Sequence, residues 1–130
     1  MENKYTGEVP FKVGEKQGTL VFDYNALAIV KSQITQEELD NLAQLAPDKL
    51  AIMAAAGFKK LSPDITAEYI MDNSPPIMLL ATAIDRALLF AYHGPEAARQ
   101  ILEPIDREVE ATERALKKKD SSKKKSQKTK

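Results

Sequence analysis

Leu50, Met53, Ala54, Gly57, Phe58 and Leu61 stand at i, i+3, i+4, i+7, i+8 and i+11. That spacing is one face of a helix and does not fit the two-residue period of a strand. The run Met53 to Gly57 is built mostly of small residues, so another backbone can approach this helix closely. A second helix follows a short proline turn at Pro63-Asp64. Thr66 is its N-cap, and Ile65 and Ile70 flank it at the spacing of a hydrophobic staple. The stretch Leu50–Ile70 thus reads as helix, turn, helix. The simplest account of its stripe is a buried core around which the rest of the chain must pack.

Before it comes a hairpin signal. Val9, Phe11 and Val13 alternate with Glu8, Pro10 and Lys12, the pattern of a strand with one wet face. Pro10 falls on the outward set, which suits an edge strand. Gly14 to Gly18 reads as the turn and Thr19 to Asp23 as the return strand, with Leu20 and Phe22 on one face. Two strands alone are marginal in water, so their apolar face must lie on helices.

The helical signals then run without a long gap. A first helix is expected from about Tyr24 to Gln33, with Leu27, Val30 and Ile34 as its stripe. Thr35 and Glu38 form a capping box, Ile34 and Leu39 a staple, and a short helix to about Leu45 should follow. Pro47 suits the first position of the next helix, with Asp48 placed well for the helix dipole. Ser74-Pro75 reads as an N-cap and first-turn pair opening a helix to about His93. That helix has two apolar faces. Ile77, Leu80, Ala81, Ile84, Leu88 and Ala91 make one; Met78, Leu79, Leu89, Phe90 and Tyr92 make the other. A helix apolar on two sides is central to a bundle or touches a partner. Gly94 and Pro95 end it and start a last helix to about Leu116, with a narrow Ile101, Ile105, Val109 stripe and a kink expected at Pro104.

The 130 residues make one modest domain, residues 1–116, with the hairpin in 5–23 and helices from about 24. The net charge of zero conceals an asymmetry. Residues 1–116 hold 11 Lys and Arg against 18 Asp and Glu, while residues 117–130 hold 8 Lys and one Asp. An acidic body therefore carries a basic tail, and such a lysine- and serine-rich tail is expected to be disordered. The N-terminus shows no apolar signal segment. The apolar run Pro75–Tyr92 is interrupted by Asp85 and Arg86 and falls short of the roughly 20 residues of a membrane span. The chain reads as soluble, with no membrane contact.

The chemistry-bearing residues are few. There is no cysteine and one histidine, His93, which excludes a disulfide framework, a thiolate metal site and a multi-histidine metal site. His93 falls at a helix C-terminus, where a cation is favoured, and reads as structural. No Walker or dinucleotide-binding glycine loop and no H-E-x-x-H is present. Asp85 and Arg86 are the only charges inside the most apolar helix; they could be a buried pair, a partner contact or an exposed strip, and an exposed strip is their simplest placement. The expectation is no enzyme, no catalytic residue, no cofactor and no metal. The tail lacks arginine and aromatic residues, so it offers nucleic acid only salt-sensitive phosphate attraction, which the acidic body opposes.

The order of features resembles a known family. Gly7-Glu8-Val9, Thr19-Leu20-Val21-Phe22-Asp23 and Asn25-Ala26-Leu27, followed by Ala56-Gly57, Pro63-Asp64 and Ile65-Thr66, are similar to the small tail assembly chaperones of long-tailed phages and gene transfer agents. The likeness covers roughly residues 5–72 and leaves the helix from Pro75 unmatched. It implies a non-enzymatic protein of the host cytoplasm that coats an aggregation-prone helical tape measure protein, helps recruit tail tube subunits, and leaves before the tail is finished.

The expected fold is α+β, a β-hairpin packed on a mostly helical bundle with a disordered lysine-rich tail. The expected function is phage or prophage tail assembly by binding. The alternatives are a small virion structural or scaffold protein that self-assembles, and a nucleic-acid-associated protein acting through residues 117–130. Met53, Phe58, Met78, Leu79, Leu89 and Phe90 are the expected partner-binding residues, because methionines and large apolar side chains make an adaptable surface.

Overall fold

The computed structural model describes residues 6–128, with side chains to residue 116. The tail expected to be disordered, residues 117–130, lies outside the described side chains, and Tyr5, where the first strand was expected to begin, lies outside the described residues.

The first two elements are β1 (Val9–Val13) and β2 (Lys16–Leu20), paired antiparallel with Val9 opposite Leu20 and Val13 opposite Lys16. The turn is therefore two residues, Gly14-Glu15, not the longer Gly14–Gly18 segment, and the return strand begins earlier than Thr19. Gly14 has φ +60° while Glu15 does not share a positive φ, as a type II′ hairpin turn requires. Gly18 is inside β2 for a different reason. A Cβ there would lie 2.5 Å from Ile65 Cδ1 and 2.7 Å from the Phe58 ring. As the alternation implies, Val9 and Val13 face inward while Pro10 and Lys12 are exposed. Residues after Leu20 leave the ladder because the Val21 N–H donates to the Gly57 carbonyl instead, at 2.9 Å.

The helices come next: α1 (Tyr24–Gln33), α2 (Gln36–Leu39), α3 (Pro47–Phe58) and α4 (Ala67–Asn73). Asp23 caps α1 by accepting from the Ala26 N–H. The Thr35–Glu38 capping box forms in both directions. The helix it starts is shorter than expected and stops at Leu39. Asn41 is non-helical, and Leu42–Gln44 continues as a single 3-10 turn that buries Leu42. Thr66 caps α4 through the Tyr69 N–H, and the flanking Ile65 and Ile70 are both buried.

α3 is the hub. It packs against α1, α4, β2 and the last helix, and Leu50, Met53, Ala54 and Phe58 are fully enclosed. Leu61, expected to extend the stripe, lies past the helix end and is exposed. At Gly57 the sheet comes closest. A Cβ there would sit 2.8 Å from Phe22 Cζ and 2.9 Å from Leu20 Cδ2.

Ser74 corrects the expected start of the last helix. It is the C-cap of α4 in the left-handed conformation, φ 46° and ψ 57°, rather than the N-cap of the last helix. Its N–H donates to the Ile70 carbonyl and its hydroxyl to the Met71 carbonyl, so its polar groups belong to α4. α5 (Ile77–Lys128) is one helix by hydrogen bonding but is broken at Gly94, with φ 83° and ψ 159°. That region is open almost only to glycine. The break expected at Gly94 is therefore present, and Pro104 keeps helical dihedrals.

Two glycine substitutions separate two causes. Gly18→Ala forces a methyl into the Phe58–Ile65 contact, and overpacking of this kind costs about 1–3 kcal/mol. Gly94→Ala meets no atom within 4 Å, so its cost, also about 1–3 kcal/mol, comes from backbone strain alone. Urea unfolding of both variants checks the losses, and only Gly18→Ala should disturb the ring environment of Phe58 in NMR spectra.

A pH effect comes from Glu38. Lys49 Nζ donates to it at 2.6 Å, and this hydrogen bond, with that from the Thr35 N–H, holds its carboxyl below the ordinary glutamate value. A lowered folded-state pKa adds stability above the unfolded-state value and loses it as pH falls through the folded-state value. Lys49→Met should therefore raise the Glu38 pKa, read by NMR titration, and reduce the acid-induced loss of stability.

Candidate interaction surface

The sequence of α5 separates its two arms sharply. In residues 77–93, Leu80, Ala81, Ile84 and Leu88 recur at helical spacing and are buried against the body. After Gly94 the apolar positions thin and charges dominate. The two arms lie against each other. The Arg86 guanidinium donates two bonds to the Asp106 carboxylate, Nη1 to Oδ1 at 3.1 Å and Nη2 to Oδ2 at 2.7 Å. On an unbroken helix, residues this far apart would stand about 30 Å from each other. The contact is possible because the chain reverses at Gly94. Ala98 is buried and Leu102 half-buried, two turns and one turn before Asp106 on the same side of the second arm.

Arg86 therefore does not sit in an exposed strip. Its planar fork matches a carboxylate, and both side chains of the pair are partly withdrawn from water, at 26% and 18% exposure. Asp85 does remain on the exposed side, and desolvation by the surrounding protein pushes its carboxyl up.

On length and composition alone, Ile77–Leu116 is apolar enough to cross a membrane. The reversal at Gly94 divides it, and residues 77–93 rise only about 26 Å against a hydrocarbon core of about 30 Å. Leu80, Ile84, Leu88 and Phe90 are buried in the core, whereas Ile77, Met78, Leu79 and Tyr92 are exposed. The described residues form an antiparallel hairpin packed on a mostly helical region.

The six expected partner-binding residues do not form one surface. Met53, Phe58 and Phe90 are buried, and this corrects their assignment: a stripe that packs α3 against β2 has no face left for a partner. Leu89 is half-buried against the core. Met78 and Leu79 are exposed, at 64% and 61%, on the first turn of α5 next to Ile77. Met71 and Tyr92 are also exposed. The second arm adds Ile101, Ile105, Val109 and Leu116, all exposed, which the sequence reading treated only as a narrow stripe. Their regular spacing was the available signal.

Among the described residues no group of three or more His, Asp or Glu side chains is placed to hold a metal ion. A cleft of about 290 Å³ between the start of β1 and α5 is lined by Gly7, Phe22, Leu61, Phe90 and Pro95, with Lys60 among its few polar groups. His93 is exposed at the end of the first arm. The exposed groups of this surface are large apolar side chains with charges beside them.

No family model, curated protein or solved structure matches this chain.

The ion pair between the arms has a measurable role. Asp106→Asn or Arg86→Met leaves one partly buried charge without its bidentate partner. Each should lower stability by about 1–3 kcal/mol, less than for a fully enclosed pair because both side chains keep some water. The double variant Arg86→Met/Asp106→Asn should recover most of that loss, because neither unpaired charge remains. A double-mutant cycle in urea measures the coupling.

Proposed function

We propose that this chain is a tail assembly chaperone of a phage or prophage, acting in the host cytoplasm by binding alone. It covers apolar helical stretches of the tape measure protein and helps bring tail tube subunits to it. The observation that carries this reading is the exposed apolar turn Ile77-Met78-Leu79 on an otherwise well-packed small domain. A contiguous exposed apolar group on such a domain marks a site of contact. Methionine suits a client with many similar stripes, because its unbranched side chain repacks easily. The family likeness of residues 5–72 supplies the identity of the client, and the hairpin and helix order that carry that likeness agree with the observed element order.

The test is capture from an induced host lysate with an N-terminally tagged full chain, with and without nuclease, read by mass spectrometry. A very long helical protein and a tube subunit should be recovered in both conditions. Met78→Asp/Leu79→Asp should reduce that recovery at least tenfold while leaving the circular dichroism spectrum unchanged. Recovery of nucleic acid alone, lost on nuclease treatment or on removal of residues 117–130, contradicts the reading. Recovery of the chain's own copies alone points to a self-assembling scaffold instead.

A further inference from the structure

The second arm of α5 carries a heptad seam. Ala98, Leu102, Ile105, Val109, Thr112 and Leu116 are spaced four, three, four, three and four residues apart. In coiled-coil terms Leu102, Val109 and Leu116 are a positions, and Ala98, Ile105 and Thr112 are d positions. The seam starts inside the protein, where Ala98 is buried and Leu102 packs on the core. It then runs on without cover. Ile105, Val109 and Leu116 are 51%, 50% and 58% exposed, and Ile101, beside the seam at a g position, is exposed too. Beyond Leu116 the next seam positions, 119 and 123, are lysines, so the apolar face ends there.

The charges beside the seam say what fits it. Flanking its exposed part are Asp106, Glu108 and Glu113, at e, g and e. The arginines of this stretch, Arg107 and Arg114, both fall at f, on the far side of the helix. Asp106 is already engaged with Arg86, which leaves Glu108 and Glu113 to face an incoming helix. A second copy is the wrong occupant. In a parallel pair Glu108 of one copy meets Glu113 of the other, and an in-register antiparallel pair sets glutamate against glutamate as well. By the same heptad count the lysines after residue 116 fall at a, b, c, d and f, so a second copy offers Glu108 and Glu113 no lysine at an e or g position.

We infer that the exposed seam from Leu102 to Leu116 is a docking surface for an amphipathic α-helix whose apolar stripe is flanked by lysine or arginine. The partner's stripe completes the a and d layers at Ile105, Val109 and Leu116, and its basic flanks pair with Glu108 and Glu113. Specificity comes from charge and contact from the apolar layers. This surface stands on the seam alone and does not depend on the tail assembly reading.

The test uses the full chain and two synthetic probe helices, each about three heptads long with Ile and Leu at a and d. One probe has Lys at e and g, the other Glu. Titration calorimetry should show binding of the lysine probe, weakening as salt is raised, and at least tenfold weaker binding of the glutamate probe. Val109→Asp, at an exposed position, should abolish binding without lowering stability. Glu108→Lys/Glu113→Lys should reverse the preference and bind the glutamate probe. Sedimentation of the chain alone should show no seam-dependent self-association. The inference is overturned if neither probe binds, if both bind equally, or if the charge reversal leaves the preference unchanged. It is also overturned if the chain dimerises in a way that Val109→Asp removes.

Discussion

The contact between β2 and α3 is the constraint on which the other elements depend. A two-stranded hairpin has too little surface to stand alone in water. Here β2 is laid directly on a helix, with Leu20 and Phe22 over Gly57 and the Phe58 ring under Gly18. Each element supplies a glycine where the other supplies bulk. The hydrogen bond from the Val21 N–H to the Gly57 carbonyl joins sheet and helix backbones at the same point. Once α3 is held in this way, α1, α4 and the first arm of α5 have a common surface on which to bury their stripes.

The rest of the architecture extends outward from that core. The first arm of α5 uses one face to close the bundle, so only its first turn, Ile77-Met78-Leu79, is left with consecutive large apolar side chains in water. Gly94 reverses the chain and Arg86 fastens the second arm at Asp106. That pair sits on the same side of the second arm as Ala98 and Leu102. From Arg107 to Leu116 every side chain is exposed, yet the apolar repeat persists through Leu116. A polar, solvent-directed helix has no need of such a repeat, and its persistence is the observation on which the proposed docking surface rests.

Much of the architecture was legible in the residues. The helix of Leu50–Phe58, the caps at Thr35 and Thr66, and the break at Gly94 each rest on local chemistry, and each is present. What the sequence reading missed depends on contacts distant along the chain. Gly18 looks like a turn residue until Phe58 and Ile65 are seen to fill its Cβ position. Ser74 looks like an N-cap until its hydroxyl is seen to bond backward to Met71. Arg86 looks like a solvent charge until the reversal brings Asp106 to it. The candidate surface was legible in part. Met78 and Leu79 are exposed, whereas Met53, Phe58 and Phe90 obey the same apolar signal and are core. Hydrophobicity alone does not tell a side chain that packs inward from one that waits for a partner.

The measurement that tests this account most directly is amide hydrogen exchange of the free full-length chain. The account predicts that the Val21 amide and those of the middle of α3 exchange slowest, near the rate set by global unfolding, and that amides of residues 107–116 exchange far faster. Comparable protection of residues 107–116 and α3 would contradict it, since that arm would then already be covered. Fast exchange at Val21 would contradict it equally, because the sheet would not be held on α3.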